Sequence, residues 1–352
     1  MGGGKKGQAK NLLCCFQKRF TNSKGYKVLF FGSDNVSLPT LKALKEASKT
    51  DLVSKLEVVT SKSQDTPKGT KVFEWCQSSM VPVHFWPLSF PSEGPNSFDF
   101  DIGVVVSFGY FIPKELIYKF PKQMINMHPS LLPKYRGANP IGYTLLNNDP
   151  KGGVSIITLH PTEFDKGKIL LSEEIDIPTT TTYPELEKQL AQLGASKVIQ
   201  LLQNFDEYSA KAVEQEAVDG KLYPYSKKFT TSHGNVQWPA LTAMEAYGRW
   251  RSMPSKTYTF LNTRFIKLVK LQYPDPAHIP PHITSKAGPP GSISFDKETD
   301  LLYVKCKEGW IGVESLQLAG KPVYSARIFS NGFQLRREGH GEIFNEVGEV
   351  PK

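Results

Sequence analysis

The first half of the chain alternates short apolar runs with segments of helical spacing. The runs KVLFFG (27–32), LEVVT (56–60) and IGVVVS (102–107) are apolar along most of their length rather than at every second residue. Strands of this kind are covered on both faces, as in a parallel sheet with crossover helices on either side. The pattern predicts a doubly wound α/β sheet, in which ligands bind beyond the carboxyl ends of the strands.

A dense group of polar residues lies between residues 124 and 168. Asn126 and His128 stand two residues apart in the apolar run MINMH, so both side chains project to the same side of an extended segment. Asp165 follows a second strand-like run. Together they suit acyl transfer, because the amide donates to a developing oxyanion, the imidazole moves protons and the carboxylate orients the imidazole. The structural alternative is a hydrogen-bonded histidine and a loop-capping aspartate.

The order of these motifs resembles the catalytic signature of the folate-dependent formyltransferases. That signature is Asn-x-His, Ser-Leu-Leu-Pro, a glycine-containing turn, and a strand leading to Asp-x-Gly; all parts occur in this order here. The resemblance implies a Rossmann-like catalytic domain that uses 10-formyltetrahydrofolate as co-substrate. It also implies that Asn126 steadies the oxyanion, His128 is the acid/base and Asp165 orients His128. The residues implied to bind the folate are Gly109, through its backbone, and Ser130, Leu131, Leu132 and Pro133.

The second half of the chain changes character after a long helical segment at residues 183–204. Five short strand-like runs follow between residues 257 and 316, with prolines between several of them. Short strands at this spacing predict a small β-barrel, and a five-stranded OB-like barrel fits the size of the region.

The charge is divided unevenly between these regions. Residues 28–220 carry 18 basic and 23 acidic residues, whereas residues 221–340 carry 17 basic and 8 acidic residues. A basic domain behind a mildly acidic one suggests a polyanionic partner, with nucleic acid as the first candidate. The alternative is a solvated basic face without a partner.

A wider resemblance, to the methionyl-tRNA formyltransferase family and best to its mitochondrial members, covers most of the chain. It rests on the runs VLFFGSDNVSLPTLKAL (28–44), VVVSFGYFIP (104–113) and VKCKEGWIGVESLQLAGK (304–321). It implies a basic barrel that grips tRNA, with initiator-type methionyl-tRNA as the partner, and we expect a monomer. The candidate tRNA-binding residues are Lys62, Lys68, Lys71, Lys227, Lys228, Lys267 and Lys270.

The first acidic residue of the chain is Asp34, and the residues before it include seven lysines or arginines. This composition is typical of a mitochondrial presequence, and together with the resemblance it predicts a location in the mitochondrial matrix. A plain tail or an expression remnant is the alternative. The predicted divisions are an N-terminal extension (1–26), a catalytic domain (27–205), a linker (206–235), a basic barrel (236–340) and a tail (341–352).

The composition further restricts the class of protein to which the chain can belong. No apolar run approaches the roughly 20 residues that a membrane-spanning helix needs. Four cysteines, two of them adjacent, form neither a disulfide framework nor a zinc-ligand pattern, and the sequence suggests no metal site.

Formyl transfer from 10-formyltetrahydrofolate to the α-amino group of methionyl-tRNA is the favoured function. One alternative is a related formyltransferase acting on a small amine, against which the basic barrel argues. The other is a catalytically inert tRNA-binding relative, against which the intact Asn126, His128 and Asp165 set argues.

Overall fold

Two β-sheets, each formed by its own half of the chain, organise the molecule. The computed structural model describes residues 25–62, 69–88, 98–216, 223, 225–273, 275–333, 343–345, 347–348 and 350. The predicted N-terminal extension lies almost wholly outside these residues, and so does Lys68. Among the described helices, none is both long and apolar enough to cross a membrane.

The first sheet has seven strands in the order β3-β2-β1-β4-β5-β6-β7. The five strands from β3 to β5 run parallel, as the continuous apolar runs predict, and the central strand β4 is buried along its whole length. The strands are β1 (Tyr26–Phe31), β2 (Val53–Thr60), β3 (Val83–Phe85), β4 (Ile102–Val106), β5 (Met124–His128), β6 (Lys151–Thr158) and β7 (Ile169–Asp176).

The last two strands depart from the expected parallel arrangement. β6 runs antiparallel to β5, and β7 runs antiparallel to β6. β7 was not predicted, because its run ILLSEEID is apolar only in its first three residues and at Ile175 and carries three acids. This antiparallel edge places the end of β6 beside β5, so the loop between β6 and β7 lies next to the Asn126 and His128 strand.

Helices cover the two faces of the first sheet. They are α1 (Ser37–Ala47), α2 (Lys71–Ser78), α3 (Lys114–Ile117), α4 (Pro140–Leu146), α5 (Tyr183–Gln203) and α6 (Phe205–Ala210). α5 runs without a break through Gly194, and the glycine has a packing reason. A Cβ atom there would lie 2.6 Å from Met127 Sδ, so glycine lets α5 pack directly on β5.

The second sheet is antiparallel and follows the order β10-β11-β12-β9-β8-β14. Its ends approach each other, because Ser292, before β10, bridges Ile343, before β14, and Phe344 N donates to Gly291 O at 2.9 Å. This contact closes the sheet into the predicted barrel. The elements are α7 (Ala243–Ser252), β8 (Tyr258–Leu261), β9 (Arg264–Leu271), α8 (Pro281–Thr284), β10 (Ile293–Asp296), β11 (Leu301–Lys305), β12 (Trp310–Leu318), β13 (Val323–Ser325), α9 (Ala326–Gly332) and β14 (Phe344–Asn345).

All five predicted barrel strands are present, and β13 and β14 are additional. β14 lies in the predicted tail, where the side chain of Phe344 is buried in the barrel core with Trp238. Cys76 and Cys306 are free and buried, one in the core of each domain.

The two domains are joined by a buried arginine. Arg251, on α7 of the second domain, is 2% exposed. Its Nη2 donates to Asn148 Oδ1 of the first domain at 3.1 Å, and its Nη1 donates to Thr179 O at 2.8 Å. Asn148 Nδ2 in turn donates to Met244 O at 3.0 Å. These bonds fix α7 against the residues that follow α4 and β7.

Candidate active site

The site lies at the carboxyl end of β5, where the sequence predicts it. Asn126 and His128 share one face of β5, and the intervening Met127 is buried on the other face against α5. The main chain of both residues is held by β6, since Asn126 pairs with Ile157 and His128 pairs with Ser155. The two functional side chains therefore project from a rigid strand.

His128 is buried, and each of its ring nitrogens faces an oxygen. Nε2 lies 2.9 Å from the backbone carbonyl of Tyr135, and Nδ1 lies 3.5 Å from Asp165 Oδ1. Because a carbonyl oxygen only accepts, Nε2 carries a hydrogen. Nδ1 then gains a favourable contact with the carboxylate only when it is protonated too. Both ring nitrogens of His128 thus face acceptor oxygens.

Asp165 uses both carboxylate oxygens. Oδ1 accepts from Asn126 Nδ2 at 3.1 Å, and Oδ2 accepts from the backbone N–H of Gly137 at 2.9 Å. Hydrogen bonds of this kind stabilise the ionised carboxylate. The structure therefore brings together all three predicted catalytic side chains, which lie up to 39 residues apart in sequence.

A tight turn of the β6–β7 loop places Asp165 in this position. The residue has φ of +53°, in the left-handed region that aspartate tolerates better than most residues. A Cβ atom on the nearby Gly167 would lie 1.6 Å from Thr158 O, so only glycine allows this close approach of the loop to the end of β6.

The predicted folate-binding turn from Ser130 to Pro133 is held by internal bonds. Ser130 Oγ donates to Lys134 O at 2.6 Å, and Leu132 N donates to Ser155 Oγ at 3.0 Å. Ser130 and Leu132 are buried, whereas Leu131 and Pro133 are partly exposed. The pocket-lining role of all four residues stays a prediction. The bonds show that Ser130 and Leu132 also shape the turn itself.

Tyr135 completes this turn. Its hydroxyl donates to Asp149 Oδ2 at 2.7 Å and accepts from Asn147 Nδ2 at 2.7 Å. Burial is the main cause that raises the pKa of the Tyr135 hydroxyl, so it stays protonated and keeps donating at physiological pH. These bonds hold Tyr135 in place, and with it the backbone carbonyl that accepts the hydrogen bond from His128 Nε2.

The loop after β4 leaves an open space beside the site. Gly109 has φ of +80°, and a Cβ atom there would meet no other atom within 4 Å. Tyr110 and Phe111 are 45% and 44% exposed, and the Phe111 ring meets the Phe164 ring edge-on, with their centroids 5.4 Å apart. Open backbone next to exposed aromatic rings suits a planar ligand such as a pterin.

The predicted tRNA-binding lysines lie in different settings. Lys227 and Lys228 are exposed and directly follow the buried Ser226. On β9, Lys270 forms an ion pair with Glu314 at 2.8 Å, whereas Lys267 has no ion-pair partner among the described residues. Lys62 lies over the Phe85 ring at 5.6 Å, and Lys71 begins α2.

The stretch predicted as a linker contributes contacts that sequence reasoning missed. Ser226 N donates to Arg136 O at 2.7 Å, and Ala138 N donates to Ser226 O at 2.8 Å. Gln215 contacts the loop that carries Asp165. Both residues lie in a polar stretch without periodicity, which gave no signal of a role at the site.

Comparison with known proteins agrees with this geometry. The family model described as "Formyl transferase" matches residues 93–202, and the model described as "Formyl transferase, C-terminal domain" matches residues 228–334. The human mitochondrial methionyl-tRNA formyltransferase is 36% identical over 327 residues, which cover 91% of this chain and 80% of the human protein. The chain belongs to the methionyl-tRNA formyltransferase family.

Further members of the methionyl-tRNA formyltransferase family are more distant. The enzyme of Rickettsia bellii is 27% identical over 314 residues, covering 88% of this chain and 97% of the bacterial protein. Among solved structures, a sugar 3N-formyl transferase crystallised with dTDP and 5-N-formyl-THF superimposes with a TM-score of 0.61 at 16% identity. It covers 84% of this chain and 99% of that one, and the likeness concerns the fold.

Proposed function

We propose that the chain transfers a formyl group from 10-formyltetrahydrofolate to the α-amino group of methionyl-tRNA, producing N-formylmethionyl-tRNA. The proposal rests on one arrangement at the end of β5. Asn126 donates a hydrogen bond to the Asp165 carboxylate, and His128 Nδ1 faces the same carboxylate. Membership of the methionyl-tRNA formyltransferase family supports the identity of the acceptor.

The attacking group needs no protein nucleophile. An α-amino group has a pKa of roughly 7.7–8.0, so a useful fraction is neutral at physiological pH. Its nitrogen forms the new bond to the formyl carbon while the bond from that carbon to N10 of the folate breaks. One proton leaves the amine and one arrives at N10, so the protein must manage proton transfer and the charge on the formyl oxygen.

Asn126 and His128 are placed for these two tasks. The Asn126 amide and the charged His128 ring stabilise the negative charge that develops on the formyl oxygen, an effect worth about 3–4 kcal/mol for one preorganised donor. His128 also moves the proton, and Asp165, 3.5 Å from ring Nδ1, orients the ring. When the substrates bind, these residues exchange the hydrogen bonds that they make with one another for hydrogen bonds to the substrates.

The folate donor supplies an activated formyl group, and the open space beside Gly109 supports its placement. Backbone groups around Gly109 approach the pterin, and Phe111 and Phe164 cover its apolar face. The partly exposed Leu131 and Pro133 line the opposite side, on the turn that follows β5.

The barrel and the linker (206–235) bind the tRNA. Contacts of lysine and arginine with phosphates give affinity and position but carry no sequence information. Lys227 and Lys228 lie beside the turn of residues 135–139, which Ser226 holds, so they meet the tRNA close to the site. Lys62, Lys68, Lys71, Lys267 and Lys270 complete the proposed tRNA contacts.

We further propose that the chain acts as a monomer on initiator-type methionyl-tRNA in the mitochondrial matrix. Several curated relatives are mitochondrial forms, including those of Homo sapiens and Bos taurus. The basic residues before Asp34 fit an import signal. Fusing residues 1–35 to a reporter tests this location, because a reporter that stays in the cytosol contradicts it.

A formylation assay on the purified full chain tests the proposed reaction. The substrates are methionyl-initiator tRNA, methionyl-elongator tRNA, initiator tRNA carrying another amino acid, and a small aminosugar nucleotide. The proposal expects the highest kcat/KM for methionyl-initiator tRNA. Preference for the small amine would assign another formyltransferase activity, and tRNA binding without formyl transfer would assign an inert relative.

A further inference from the structure

The stretch that follows α6 lies along the first sheet. Val213 pairs with Ile169 of β7 through two backbone hydrogen bonds, from Ile169 N to Val213 O at 2.8 Å and from Val213 N to Ile169 O at 2.9 Å. Lys168 and Glu214 add an ion pair at 3.0 Å. This pairing brings Gln215, two residues further on, against the loop that carries Asp165.

The Gln215 side chain joins two loops of the site through four hydrogen bonds. Its Nε2 donates to Asp165 O at 2.9 Å and to Gly167 O at 2.8 Å. Its Oε1 accepts from Arg136 Nε at 2.9 Å and from Arg136 Nη2 at 2.7 Å. Backbone carbonyls only accept and a guanidinium only donates, so the orientation of the amide is fixed. A carboxylate at this position could accept the two bonds from Arg136 but could not donate to the two carbonyls. An apolar side chain could make none of the four bonds.

The two carbonyls belong to the turn that aims the Asp165 carboxylate. Asp165 holds its left-handed φ of +53° only while the surrounding structure supports it. Gln215 Nε2 bonds to this turn on both sides of Lys166. From the turn, Asp165 reaches Asn126, His128 and the N–H of Gly137. Gly137 directly follows Arg136, so Gln215 holds both loops that meet at the carboxylate.

We infer that Gln215 is a positioning residue for Asp165, acting through the backbone of the loop at residues 165–167 and through Arg136. It touches neither substrate, and its effect reaches the reaction through the contact between Asp165 and His128. The inference rests on the proposed formyl transfer, since the expected change in turnover refers to that reaction.

Two substitutions separate the possible roles of the amide. Gln215→Met keeps the volume and removes all four bonds. Gln215→Glu keeps the acceptor for Arg136 but sets a carboxylate against the two carbonyls. The matched control is Gln200→Met, because Gln200 lies on α5 and its Nε2 donates to the Tyr208 hydroxyl at 2.7 Å, away from the site.

Both Gln215 variants should lose about ten-fold or more in kcat, because small displacements of catalytic groups have effects of this size or larger. KM for methionyl-tRNA should stay within about two-fold of wild type, since ground-state binding is not touched. The pH–rate profile should change shape, because Asp165 is no longer held beside His128. Gln200→Met should keep the wild-type kcat and pH profile. An active Gln215→Glu variant would show that the bonds to Arg136 suffice without those to the Asp165 and Gly167 carbonyls. This result would overturn the inference.

A second measurement works without any activity. Amide hydrogen exchange at Lys166 and Lys168 should be faster in Gln215→Met than in wild type and Gln200→Met. Equal exchange rates together with an unchanged pH profile would overturn the inference. If the wild-type chain transfers no formyl group, the proposed function fails, and the exchange rates still decide whether Gln215 holds the turn.

Discussion

Arg251 of the second domain donates to Asn148 of the first domain at 3.1 Å, with its guanidinium buried between them. Burial is the main cause that lowers the pKa of Arg251 from its ordinary value, and no acidic side chain is among the causes of its shift. The positive charge is instead stabilised by the carbonyls of the 178–181 stretch and by the Asn148 oxygen. The two domains therefore share a charge–dipole contact.

Replacing Arg251 tests how firmly this contact joins the domains. Arg251→Met should destabilise the protein by roughly 2–3 kcal/mol, because the carbonyl of the buried Thr181 and the Asn148 oxygen lose their donor. Thermal unfolding measures the loss. Arg327→Met is the control, since its pair with Asp300 is about half exposed and an exposed pair contributes at most about 1 kcal/mol. Equal losses in both variants would contradict the special role of Arg251.

His128→Ala should lower kcat by about 100-fold or more, the usual size of a general acid–base effect. Binding of tRNA should change little, because the side chain is proposed to act at the formyl carbon. Steady-state kinetics and a separate binding assay measure the two quantities. His84→Ala is the control, since His84 meets Glu57 at the opposite edge of the sheet. Near-normal turnover in His128→Ala would remove His128 from the mechanism.

Asp165→Asn should slow turnover strongly while leaving the fold intact. The substitution keeps the shape of the side chain but removes the charge that faces His128 Nδ1, and an amide nitrogen would meet the donors of Asn126 or Gly137. The pH dependence of kcat should change with it. Asp206→Asn, at an exposed pair with Lys122, is the control and should leave kcat and its pH dependence unchanged.

Salt dependence should distinguish two lysines on β9. Lys267→Gln should reduce the slope of log affinity for tRNA against log salt by about one unit if this lysine contacts a phosphate. Lys270→Gln should reduce it less, because Glu314 already neutralises Lys270. The measurement is tRNA affinity across a salt series for both variants. Unchanged slopes in both would make this surface a solvated face without a nucleic-acid partner.

Glu185 gives a prediction for acid stability. Hydrogen bonds from the backbone and side chain of Thr182 lower the pKa of Glu185 below its ordinary value. A lowered folded-state pKa means that the stabilisation is present above the unfolded value, about 4.3, and is lost as pH falls through the folded value. Glu185→Ala should therefore lower Tm at pH 7 and hardly at all well below pH 4. A difference that stays constant with pH would contradict this capping role.

The local motif explains why the candidate site was predictable. Asn126, His128 and Asp165 lie within one continuous stretch, and strand alternation places the first two on one face. The apolar runs likewise predicted the parallel strands, because continuous burial leaves a clear pattern. β14 was missed for the opposite reason, since it has two residues and only Phe344 supplies an apolar anchor.

Residues that act through the main chain leave no such pattern. Gln215 and Ser226 lie in a polar stretch, and nothing in their neighbours distinguishes them from a solvated connector. Apart from the Arg136 side chain, which donates to Gln215, their partners are backbone carbonyls and N–H groups of distant loops, which have no residue identity. Only the three-dimensional arrangement shows which carbonyls they meet.

The carbonyl of Tyr135 accepts from two sources, His128 Nε2 at 2.9 Å and Ser226 Oγ at 3.2 Å. One oxygen is thus shared between the His128 ring and the segment that leads to the barrel. A catalytic fragment ending at residue 205 or 220 loses this second donor and the brace on residues 136–139. A fragment that keeps this brace therefore extends beyond Ser226, and a foreign RNA-binding module grafted onto this enzyme preserves the brace only when it is joined after that residue.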